Sequence, residues 1–436
     1  MLGSFQEFED LLARSTNYER MPGFKHDKET LSLDRMLEVV EAIGRPDQAY
    51  PTIHIAGTKG KGSTTLILEA LLRAEGLAVG TYTSPHVEHL RERIRIDGSP
   101  VGEALLLAHA NKLLSVLEAL RSRERQVFPT FFELMTALAM DCFRDRRVHW
   151  GLFEVGLGGR LDATNVLAPR LTCITSIGLE HTQQLGNTLE SIAGEKAGIV
   201  KERTPLVLGP LAGEALQPIL RAARLKEAPV EHLEAELVRP AGPDRLEIGS
   251  LGAFRSTAVI GPALRADLGL AFLLCSRALK ETGLSPRREH VASALETLVL
   301  PARVERFPLD PPVVVDAAHT AESIRALRIT LDEVSFPRPR TLIFSVAAGK
   351  NLPGILAELP ELAEETIWTL ADPARSIPPE RLRSETGRGT VLESPGAALD
   401  TALSRGCAIV VTGSFYLAGA LRPRVRALAG ASRHFF

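Results

Sequence analysis

The stretch Ile53-His54-Ile55-Ala56-Gly57-Thr58-Lys59-Gly60-Lys61-Gly62-Ser63-Thr64 decides the fold of the first part of this chain. An apolar run is followed by closely spaced glycines and lysines, and helical periodicity then continues to Ala74. Glycines let successive backbone N–H groups face one anion, and the helix that follows adds its positive end. Lys61 can reach outer phosphates, and the Ser63 hydroxyl can bind Mg²⁺. We therefore predict a strand, a phosphate loop and a helix, with these nucleotide-binding residues: Gly57, Thr58, Lys59, Gly60, Lys61, Gly62, Ser63 and Thr64.

The spacing of this loop differs from the usual nucleotide loop, because its glycines and lysine follow the order G-x-x-G-K-G-S. A glycine-rich turn with exposed lysines is the alternative. Lys59 and Lys61 would repel each other across an empty loop, whereas a polyphosphate would make their positive charge favourable. The strand–loop–helix context favours phosphate binding.

Outward from this loop, apolar runs alternate with amphipathic stretches, which predicts repeated βα units and a mainly parallel sheet in an α/β fold. The predicted strands are 52–56, 79–84, 150–157, 171–177, 205–209, 313–317, 341–346, 366–370 and 408–412. The predicted helices are 33–43, 63–74, 104–120, 131–144, 189–200, 267–282 and 324–334. Residues 227–260 alternate differently and predict antiparallel hairpins attached to the first domain. A boundary near residues 300–302 divides the chain into domains 1–300 and 301–436.

The composition is that of an ordinary globular protein, with 436 residues, 51 Lys+Arg and 53 Asp+Glu, and a net charge of −2. This balance excludes binding of nucleic acid through bulk positive potential, and aromatic residues are sparse at 5%. The four cysteines form no Cys-x-x-Cys pair, which favours reduced thiols. The acidic start is no signal peptide, and no apolar run is long enough to span a membrane. We expect a cytoplasmic monomer with small-molecule substrates and no nucleic-acid or membrane partner.

Further motifs follow the loop in a fixed order. They are Tyr82-Thr83-Ser84-Pro85-His86, Glu92-Arg93-Ile94-Arg95-Ile96-Asp97-Gly98, Thr130-Phe131-Phe132-Glu133, Glu154-Val155-Gly156-Leu157-Gly158-Gly159-Arg160-Leu161-Asp162-Ala163-Thr164-Asn165, Ile177-Gly178-Leu179-Glu180-His181, Glu195-Lys196-Ala197-Gly198-Ile199, Ala302-Arg303-Val304-Glu305, Asp316-Ala317-Ala318-His319 and Thr412-Gly413-Ser414-Phe415-Tyr416-Leu417. Together they resemble the folylpolyglutamate synthase/dihydrofolate synthase family of the Mur ligase superfamily. The resemblance implies a Mur-ligase-like domain with a phosphate loop, for ATP and folate, and a smaller Rossmann-like glutamate-ligase domain.

The reaction that this resemblance implies is ATP-dependent joining of glutamate to dihydropteroate, to folylpolyglutamate, or to both, through an acyl phosphate. Its electrostatic barrier requires cations near the phosphates, which Lys61 and Mg²⁺ would supply. The implied cofactors are ATP and two Mg²⁺ ions, with Lys196 carbamylated to give an anionic oxygen ligand. The implied metal ligands are Ser63, Ser84, Glu154, His181 and Lys196. The implied catalytic residues are Lys61, Glu154, His181, Lys196 and His319.

The resemblance also implies substrate contacts in both domains. The acceptor acid and glutamate would contact Ser84, Thr130, Phe132, Leu161, Asp162, Ala163 and His319. The nucleotide would contact Asp267, Arg303 and Asp316 as well as the phosphate loop.

Each of these side chains also has an ordinary structural interpretation. Glu154 ends a predicted strand, where ligands bind in parallel sheets, but it could be a cap. His181 could be a surface residue, and a nitrogen ligand is unusual for Mg²⁺. Lys196 could face solvent, Phe132 could belong to the core, and Asp162 could cap its own loop.

The chain departs from the family at Gly261-Pro262-Ala263-Leu264-Arg265-Ala266-Asp267, where the family commonly has G-x-H-Q-x-x-N. Smaller departures are Lys59, Leu90-Arg91 and Thr320. Because a carboxylate can only accept hydrogen bonds, Asp267 predicts weaker discrimination between ATP and GTP than an asparagine there would give. Two alternatives remain open, namely a Mur-type amide ligase for a non-folate acid and a catalytically weak nucleotide-binding homologue.

Overall fold

A computed structural model describes residues 1–21, 24, 26–27, 31, 33–121, 128–211 and 213–432 of the chain. It separates into two compact units. Unit 1 contains Met1–Pro85, Leu90–Val238 and Ala266–Ala294. Unit 2 contains His86–His89, Arg239–Arg265 and Leu295–Phe436.

Unit 1 is built on a mainly parallel sheet. Its strands are β1 (Thr52–Ala56), β2 (Val79–Tyr82), β3 (Ile94–Ile96), β4 (Ser99–Pro100), β5 (Trp150–Glu154), β6 (Leu171–Ile174), β7 (Leu206–Leu208) and β8 (Val230–His232). Its helices are α1 (Phe5–Arg14), α2 (Leu33–Ala42), α3 (Lys61–Ala74), α4 (Glu103–Arg121), α5 (Phe131–Asp145), α6 (Thr182–Leu185), α7 (Leu189–Ala197), α8 (Leu216–Leu225), α9 (Gly261–Lys280), of which the first five residues group with unit 2, and α10 (Arg288–Thr297).

The sheet of unit 1 has the strand order β4-β3-β2-β5-β1-β6-β7-β8. Strands β2, β5, β1, β6, β7 and β8 are parallel, and the edge strands β3 and β4 are antiparallel to their neighbours. Every residue of β1, β5 and β6 is buried, as their continuous apolar runs predict. The carboxyl ends of β1, β5 and β6 therefore meet at one edge, where parallel α/β sheets bind ligands.

Unit 2 has its own, smaller α/β core. Its strands are β9 (Val238–Gly242), β10 (Arg245–Ile248), β11 (Gly252–Arg255), β12 (Glu305–Phe307), β13 (Val313–Val315), β14 (Arg340–Phe344), β15 (Glu365–Trp368), β16 (Thr390–Val391) and β17 (Ala408–Thr412). Its helices are α11 (Ala321–Glu333), α12 (Leu352–Leu362), α13 (Pro379–Thr386), α14 (Pro395–Ser404) and α15 (Phe415–Ser432). The main sheet has the order β12-β13-β17-β14-β15-β16, parallel except at β12.

The segment 227–260 differs in part from the prediction of antiparallel hairpins. Strands β10 and β11 are antiparallel, as predicted, and β9 completes their sheet. Strand β8 instead runs parallel to β7, because helix α8 carries the chain back across the sheet. Residues from Arg239 onward group with unit 2 rather than with the first domain. Arg306 explains this grouping, since its guanidinium donates to the Asp244 carboxylate and to the Thr257 carbonyl.

Other differences concern helices. Helix α9 begins at Gly261, six positions before the prediction, because Pro262 is tolerated in a first helical turn. Helices α1, α6, α8, α10 and α12 to α15 were not among the predicted helices; α6 has only four residues, and α8 and α12 to α15 each contain a proline. The last segment of unit 2 begins at Leu295, close to the predicted boundary near residue 300. Within the described part of the chain, no helix combines the length and the apolar character that crossing a membrane requires.

Candidate active site

The phosphate loop requires glycine at two positions. Gly57 has a φ of 154°, and a Cβ atom there would lie 1.9 Å from Thr175 Oγ1. Gly60 has a φ of 85°, and its Cβ atom would lie 2.2 Å from Asp267 Oδ1. Any larger residue would therefore displace both the loop and its neighbours. The backbone is free to present its N–H groups at the start of α3.

Hydrogen bonds hold the loop against the residues that follow β6. The Thr58 N–H donates to the Ser176 carbonyl at 2.8 Å, and the Lys59 N–H donates to Ser176 Oγ at 2.8 Å. Thr175 Oγ1 donates to the Lys59 carbonyl at 2.6 Å. Lys59 Nζ pairs with Glu180 at 2.9 Å. The loop is thus fixed before any ligand arrives.

Lys61 has a different environment from Lys59. Its Nζ donates to the Gly57 carbonyl at 3.0 Å and to the Thr58 carbonyl at 3.4 Å, both within the loop itself. The repulsion expected between the two lysines is relieved, because Lys59 is neutralised by Glu180. Lys61 remains as the cation folded over the loop, which suits contact with a phosphate.

Glu154 lies at the end of β5, as predicted, and is 3% exposed. The Ser84 N–H donates to Glu154 Oε2 at 3.0 Å. A Cβ atom on Gly62 would lie 3.4 Å from the same oxygen, which places this carboxylate beside the first turn of α3. Ser63, in that turn, is 3% exposed. The structure therefore brings the backbone of Ser84, the Glu154 carboxylate and the start of α3 together.

Lys196 is buried in α7, with 5% exposure, rather than facing solvent. Burial, together with the positive charge of Lys61, lowers the pKa of its amine to about 7. The glycine-rich loop after β5 packs on this part of α7, since a Cβ atom on Gly159 would lie 3.1 Å from the Lys196 carbonyl. An amine with this pKa is partly uncharged at neutral pH, which is the form that reacts with carbon dioxide.

His181 directly precedes α6 and is exposed, with a φ of 53°. Among the described residues, no group of three or more His, Cys, Asp and Glu side chains could by itself hold a metal ion. The predicted ligand set is of another kind, because it combines the hydroxyl oxygens of Ser63 and Ser84, the Glu154 carboxylate, His181 and a carbamylated Lys196. Mg²⁺ commonly takes one or two carboxylates and completes its shell with phosphate oxygens and water. The buried carboxylate beside the phosphate loop fits this ion, and His181 fits it less well.

Asp162 faces its own loop. Its Oδ2 atom accepts the N–H groups of Gly156 and Leu157, both at 3.0 Å. Its Oδ1 atom accepts from the N–H group of Thr164, at 3.0 Å, and from the Thr164 hydroxyl. Burial raises the pKa of this carboxyl. The predicted contact of Asp162 with substrate therefore competes with a structural role in closing residues 156–164.

The other predicted acceptor-site residues surround this loop. A Cβ atom on Gly156 would lie 2.6 Å from the Phe132 ring, so the ring covers the loop where it begins. Leu161 and Ala163 are buried on either side of Asp162. Thr130 caps α5 in a capping box with Glu133. Phe132, Leu161 and Ala163 are thus gathered at one loop, and Thr130 begins the helix that carries Phe132.

Asp267 lies against the phosphate loop, because its Oδ1 atom would be 2.2 Å from a Cβ atom on Gly60. It is 8% exposed and belongs to the second turn of α9. A contact with phosphate-loop backbone is a different role from the base recognition that the sequence suggested. The structure places this carboxylate at the turn that leads into α3.

In unit 2, Arg303 and His319 lie beside the Phe415 ring, and both interact electrostatically with Asp316. The Arg303 guanidinium lies 4.7 Å from the Phe415 ring centroid, and the His319 ring lies 6.1 Å from it. Asp316 accepts the N–H of Val304 at 2.8 Å and that of Ala318 at 2.7 Å. Burial raises the pKa of Asp316, and the charge of Arg303 opposes this rise.

The loop that carries Arg303 has an unusual backbone. Ala302 has a φ of 53° and Val304 a φ of 46°, which is costly for a branched side chain. The Ala302 N–H donates to Glu305 Oε2 at 3.0 Å, and Arg422 pairs with the same carboxylate at 2.6 Å. A buried ion pair therefore holds a strained loop.

Sequence reasoning gave no role to some residues that the structure places in these sites. His54, in the opening stretch, reaches Thr164 at 2.7 Å, and Thr164 belongs to the quoted motif after β5. Phe415 supports Arg303 and also lies in a quoted motif. Glu305 and Arg422 are distant in sequence, and only the fold brings them together.

Comparison with known proteins identifies relatives that span the chain. Dihydrofolate synthase/folylpolyglutamate synthase of Bacillus subtilis is 33% identical over 409 residues, which is 90% of this chain and 95% of that protein. The chain belongs to the folylpolyglutamate synthase/dihydrofolate synthase family. Folylpolyglutamate synthase of Lacticaseibacillus casei is 31% identical over 404 residues, covering 89% of this chain and 93% of the relative. No family model matches the sequence.

Solved structures of folylpolyglutamate synthases share the fold. The Mycobacterium tuberculosis enzyme complexed with ADP and AMPPCP has a TM-score of 0.86 and 29% identity, covering 97% of this chain and 98% of that one. An FPGS–AMPPCP–folate complex has a TM-score of 0.83 and 27% identity, covering 97% and 99%. As a member of the folylpolyglutamate synthase/dihydrofolate synthase family, the chain is an ATP-dependent ligase that joins glutamate to a folate-type acceptor. The Mur-ligase-like α/β fold predicted from the sequence is confirmed.

Proposed function

We propose that this ligase extends both dihydropteroate and folylpolyglutamate, and that it does so through an acyl phosphate. The acceptor carboxylate attacks the γ-phosphorus of ATP and ADP leaves. The glutamate amine then attacks the acyl carbon, phosphate leaves, and the amine loses a proton. The observation that carries this proposal is the placement of Glu154, Lys196 and the phosphate loop at one edge of the unit 1 sheet.

The first task of this site is to bring two anions together. The N–H groups at the start of α3 and the Lys61 ammonium neutralise the phosphates, and hydrogen bonds of Lys59 with Ser176 and of Lys61 with Gly57 hold the loop that carries them. Because these groups do not reorganise during the reaction, their charge lowers the barrier efficiently.

Ser63, Ser84, Glu154 and His181 would hold Mg²⁺ in this proposal, with a carbamylated Lys196 for a second ion. Bound Mg²⁺ would supply further positive charge to the phosphate oxygens. Glu154 would be the central ligand, since it is a buried carboxylate that accepts the N–H of Ser84. Replacing Glu154 by glutamine keeps its shape and removes its charge.

We expect Glu154→Gln to raise the Mg²⁺ concentration needed for half-maximal activity at least roughly tenfold, because a charged ligand is lost. Phosphate release at increasing Mg²⁺ measures this. Glu227→Gln is the control, because the Glu227 carboxylate is exposed and pairs with the exposed Arg203 at 3.0 Å. An unchanged Mg²⁺ requirement in Glu154→Gln would show that Glu154 is structural.

Carbamylation of Lys196 is the second element of the proposal. The uncharged amine attacks carbon dioxide, a C–N bond forms and one proton is released. With a pKa of about 7, a large part of this amine is uncharged at neutral pH. Lys196 also lies near Lys61, so conversion of a cation to an anion removes a repulsion.

In unit 2, Arg303 and Asp316 would bind the nucleotide, and His319 would contact the incoming glutamate. The Nδ1–H of His319 donates to the Ala317 carbonyl at 2.8 Å, which orients the imidazole ring. Arg303 stacks on Phe415 and keeps a fixed direction.

The monomeric state and the cytoplasmic location stay predictions.

A panel of acceptor acids tests the proposed activity. Purified enzyme is incubated with ATP, Mg²⁺ and glutamate plus dihydropteroate, tetrahydrofolate or a non-folate carboxylic acid. Phosphate release and the product mass are measured. We expect both folate-type acids to gain the mass of glutamate minus water. Release with only the non-folate acid, or with none, would contradict the proposal.

A further inference from the structure

His54 is a buried histidine that the proposed mechanism does not use. It lies in the middle of β1 with 0% exposure, and its Nε2 atom lies 2.7 Å from Thr164 Oγ1. Burial, together with the charge of Lys201, lowers the pKa of His54 to about 3, so the ring is neutral. The Nδ1 atom, within the described structure, has no hydrogen-bond partner.

The direction of the hydrogen bonds follows from the chemistry of Thr164. Its hydroxyl has one hydrogen, and the Asp162 carboxylate beside it accepts that hydrogen. Three backbone N–H groups also donate to this carboxylate, and they favour its ionised form. Thr164 must therefore accept from His54, which requires the tautomer with hydrogen on Nε2. The result is a directed chain from His54 through Thr164 to Asp162.

This chain connects a rigid element with a loop. His54 is fixed because β1 lies between β5 and β6. Asp162 binds the N–H groups of Gly156 and Leu157, just after Glu154. The position of the sheet therefore sets the path of residues 156–163, over which the Phe132 ring lies.

We propose that His54 is a positioning residue for the acceptor acid, acting through Thr164 on Asp162 and the loop of residues 156–163. This inference rests on the proposed assignment of Phe132 and residues 161–163 to the acceptor acid. His54 does not touch the substrate. It holds Asp162 in the orientation that shapes this subsite.

Kinetics of Thr164 variants test this role. Thr164→Val keeps the shape of the side chain and breaks the chain, whereas Thr164→Ser keeps the hydroxyl. We expect Thr164→Val to raise the KM for the acceptor acid roughly tenfold, because a hydrogen bond to a buried charged group is lost. The KM for ATP should stay the same, since the loop of residues 57–62 has its own hydrogen bonds. Thr164→Ser should restore the KM for the acceptor.

His54 variants provide the second arm and serve if Thr164→Val fails to fold. Glutamine can place an N–H donor near the position of Nε2, and leucine cannot. We expect His54→Gln to retain a low KM for the acceptor and His54→Leu to raise it. Equal increases of KM for the acceptor and for ATP, or no difference between glutamine and leucine, would overturn the positioning role. Failure of the proposed function is distinguishable, because the wild-type enzyme would then ligate neither folate-type acid.

Discussion

The loop of residues 156–164 in unit 1 and the loop of residues 302–304 in unit 2 are both fixed by a buried aspartate. Asp162 accepts backbone N–H groups through both oxygens, and so does Asp316. Burial raises the pKa of each carboxyl. The two loops differ in the side chains that support them and in their backbone conformation.

In unit 1, Asp162 accepts a hydrogen bond from the Thr164 hydroxyl, which in turn contacts His54. The loop contains glycines at positive φ, such as Gly158 with a φ of 70°. In unit 2, Ala302 and Val304 adopt positive φ values without glycine, and the buried Glu305–Arg422 ion pair holds them. The loop of residues 156–164 is unstrained and is held by a chain of hydrogen bonds, whereas the loop of residues 302–304 is strained and is held by an ion pair. A polar chain can thus replace an ion pair in fixing a functional loop.

The largest expected effect tests whether the unit 1 loop lies beside the chemistry. Lys196→Ala should lower kcat about 1,000-fold, because it removes a charged group from a preorganised site. Short carboxylates in the buffer should restore part of the activity by replacing the carbamate oxygens. Lys226→Ala is the matched control, since Lys226 lies on the surface and pairs with exposed Glu202.

Arg303→Ala gives the unit 2 side of this comparison. We expect a rise in the KM for ATP with a smaller change in kcat, because Arg303 would bind nucleotide. Steady-state kinetics of both variants check the pair. If Arg303→Ala lowers kcat as much as Lys196→Ala does, the two loops do not divide binding from chemistry.

The second prediction compares the two aspartates directly. Asp162→Asn should lower the free energy of unfolding by about 3 kcal/mol, because an amide N–H group would face backbone donors on one side. Asp316→Asn should cost less, since each of its oxygens accepts one backbone N–H group in the structure rather than two donors. Urea unfolding of both variants measures the difference. Equal losses would show that the two additional donors of Asp162, one backbone N–H group and the Thr164 hydroxyl, add nothing.

The third prediction uses pH to detect His54. The pKa of His54 is about 3 in the folded protein and near 6.5 when unfolded, so the unfolded state binds the proton more readily. Stability from this residue is present above pH 6.5 and is lost as the pH falls. Between pH 7 and pH 5, the free energy of unfolding should fall by about 2 kcal/mol more in the wild type than in His54→Gln. Parallel curves for the two proteins would contradict a buried neutral ring.

The smallest expected effect concerns Asp267, at the phosphate loop. Since its carboxylate lies against Gly60, we expect Asp267→Asn to improve binding of ATP and GTP alike, by roughly threefold through reduced repulsion of phosphate. The ratio of kcat/KM for the two nucleotides should stay constant. A change in that ratio would support recognition of the base, as the sequence alone suggested.

Sequence reasoning reached the parts of the site that are local. The glycines of residues 57–62 and the position of Glu154 at a strand end follow from short-range rules, and the structure has both. The parallel β8 and the grouping of residues 239–265 with unit 2 depend on contacts distant along the chain, such as that of Arg306 with Asp244. Short-range sequence patterns cannot predict such contacts.

The roles of individual side chains were harder to predict for a related reason. Asp162 and Asp316 have the same residue type at similar loop positions, and their surroundings decide whether an oxygen is left for a ligand. His54 was unremarked, because its partner Thr164 is 110 positions away. The burial of Lys196 could not be inferred from the polar residues beside it in the chain.

The buried amine of Lys196 would also make the activity of this enzyme depend on dissolved carbon dioxide. An exposed lysine has about one uncharged amine in a few thousand at pH 7, whereas a pKa of about 7 leaves about half uncharged. The uncharged amine is the form that can attack carbon dioxide. Under the proposed carbamylation, enzyme prepared in degassed, acidic buffer would begin slowly and gain speed after bicarbonate is added. The rate of glutamate ligation would then depend on the concentration of dissolved carbon dioxide around the enzyme.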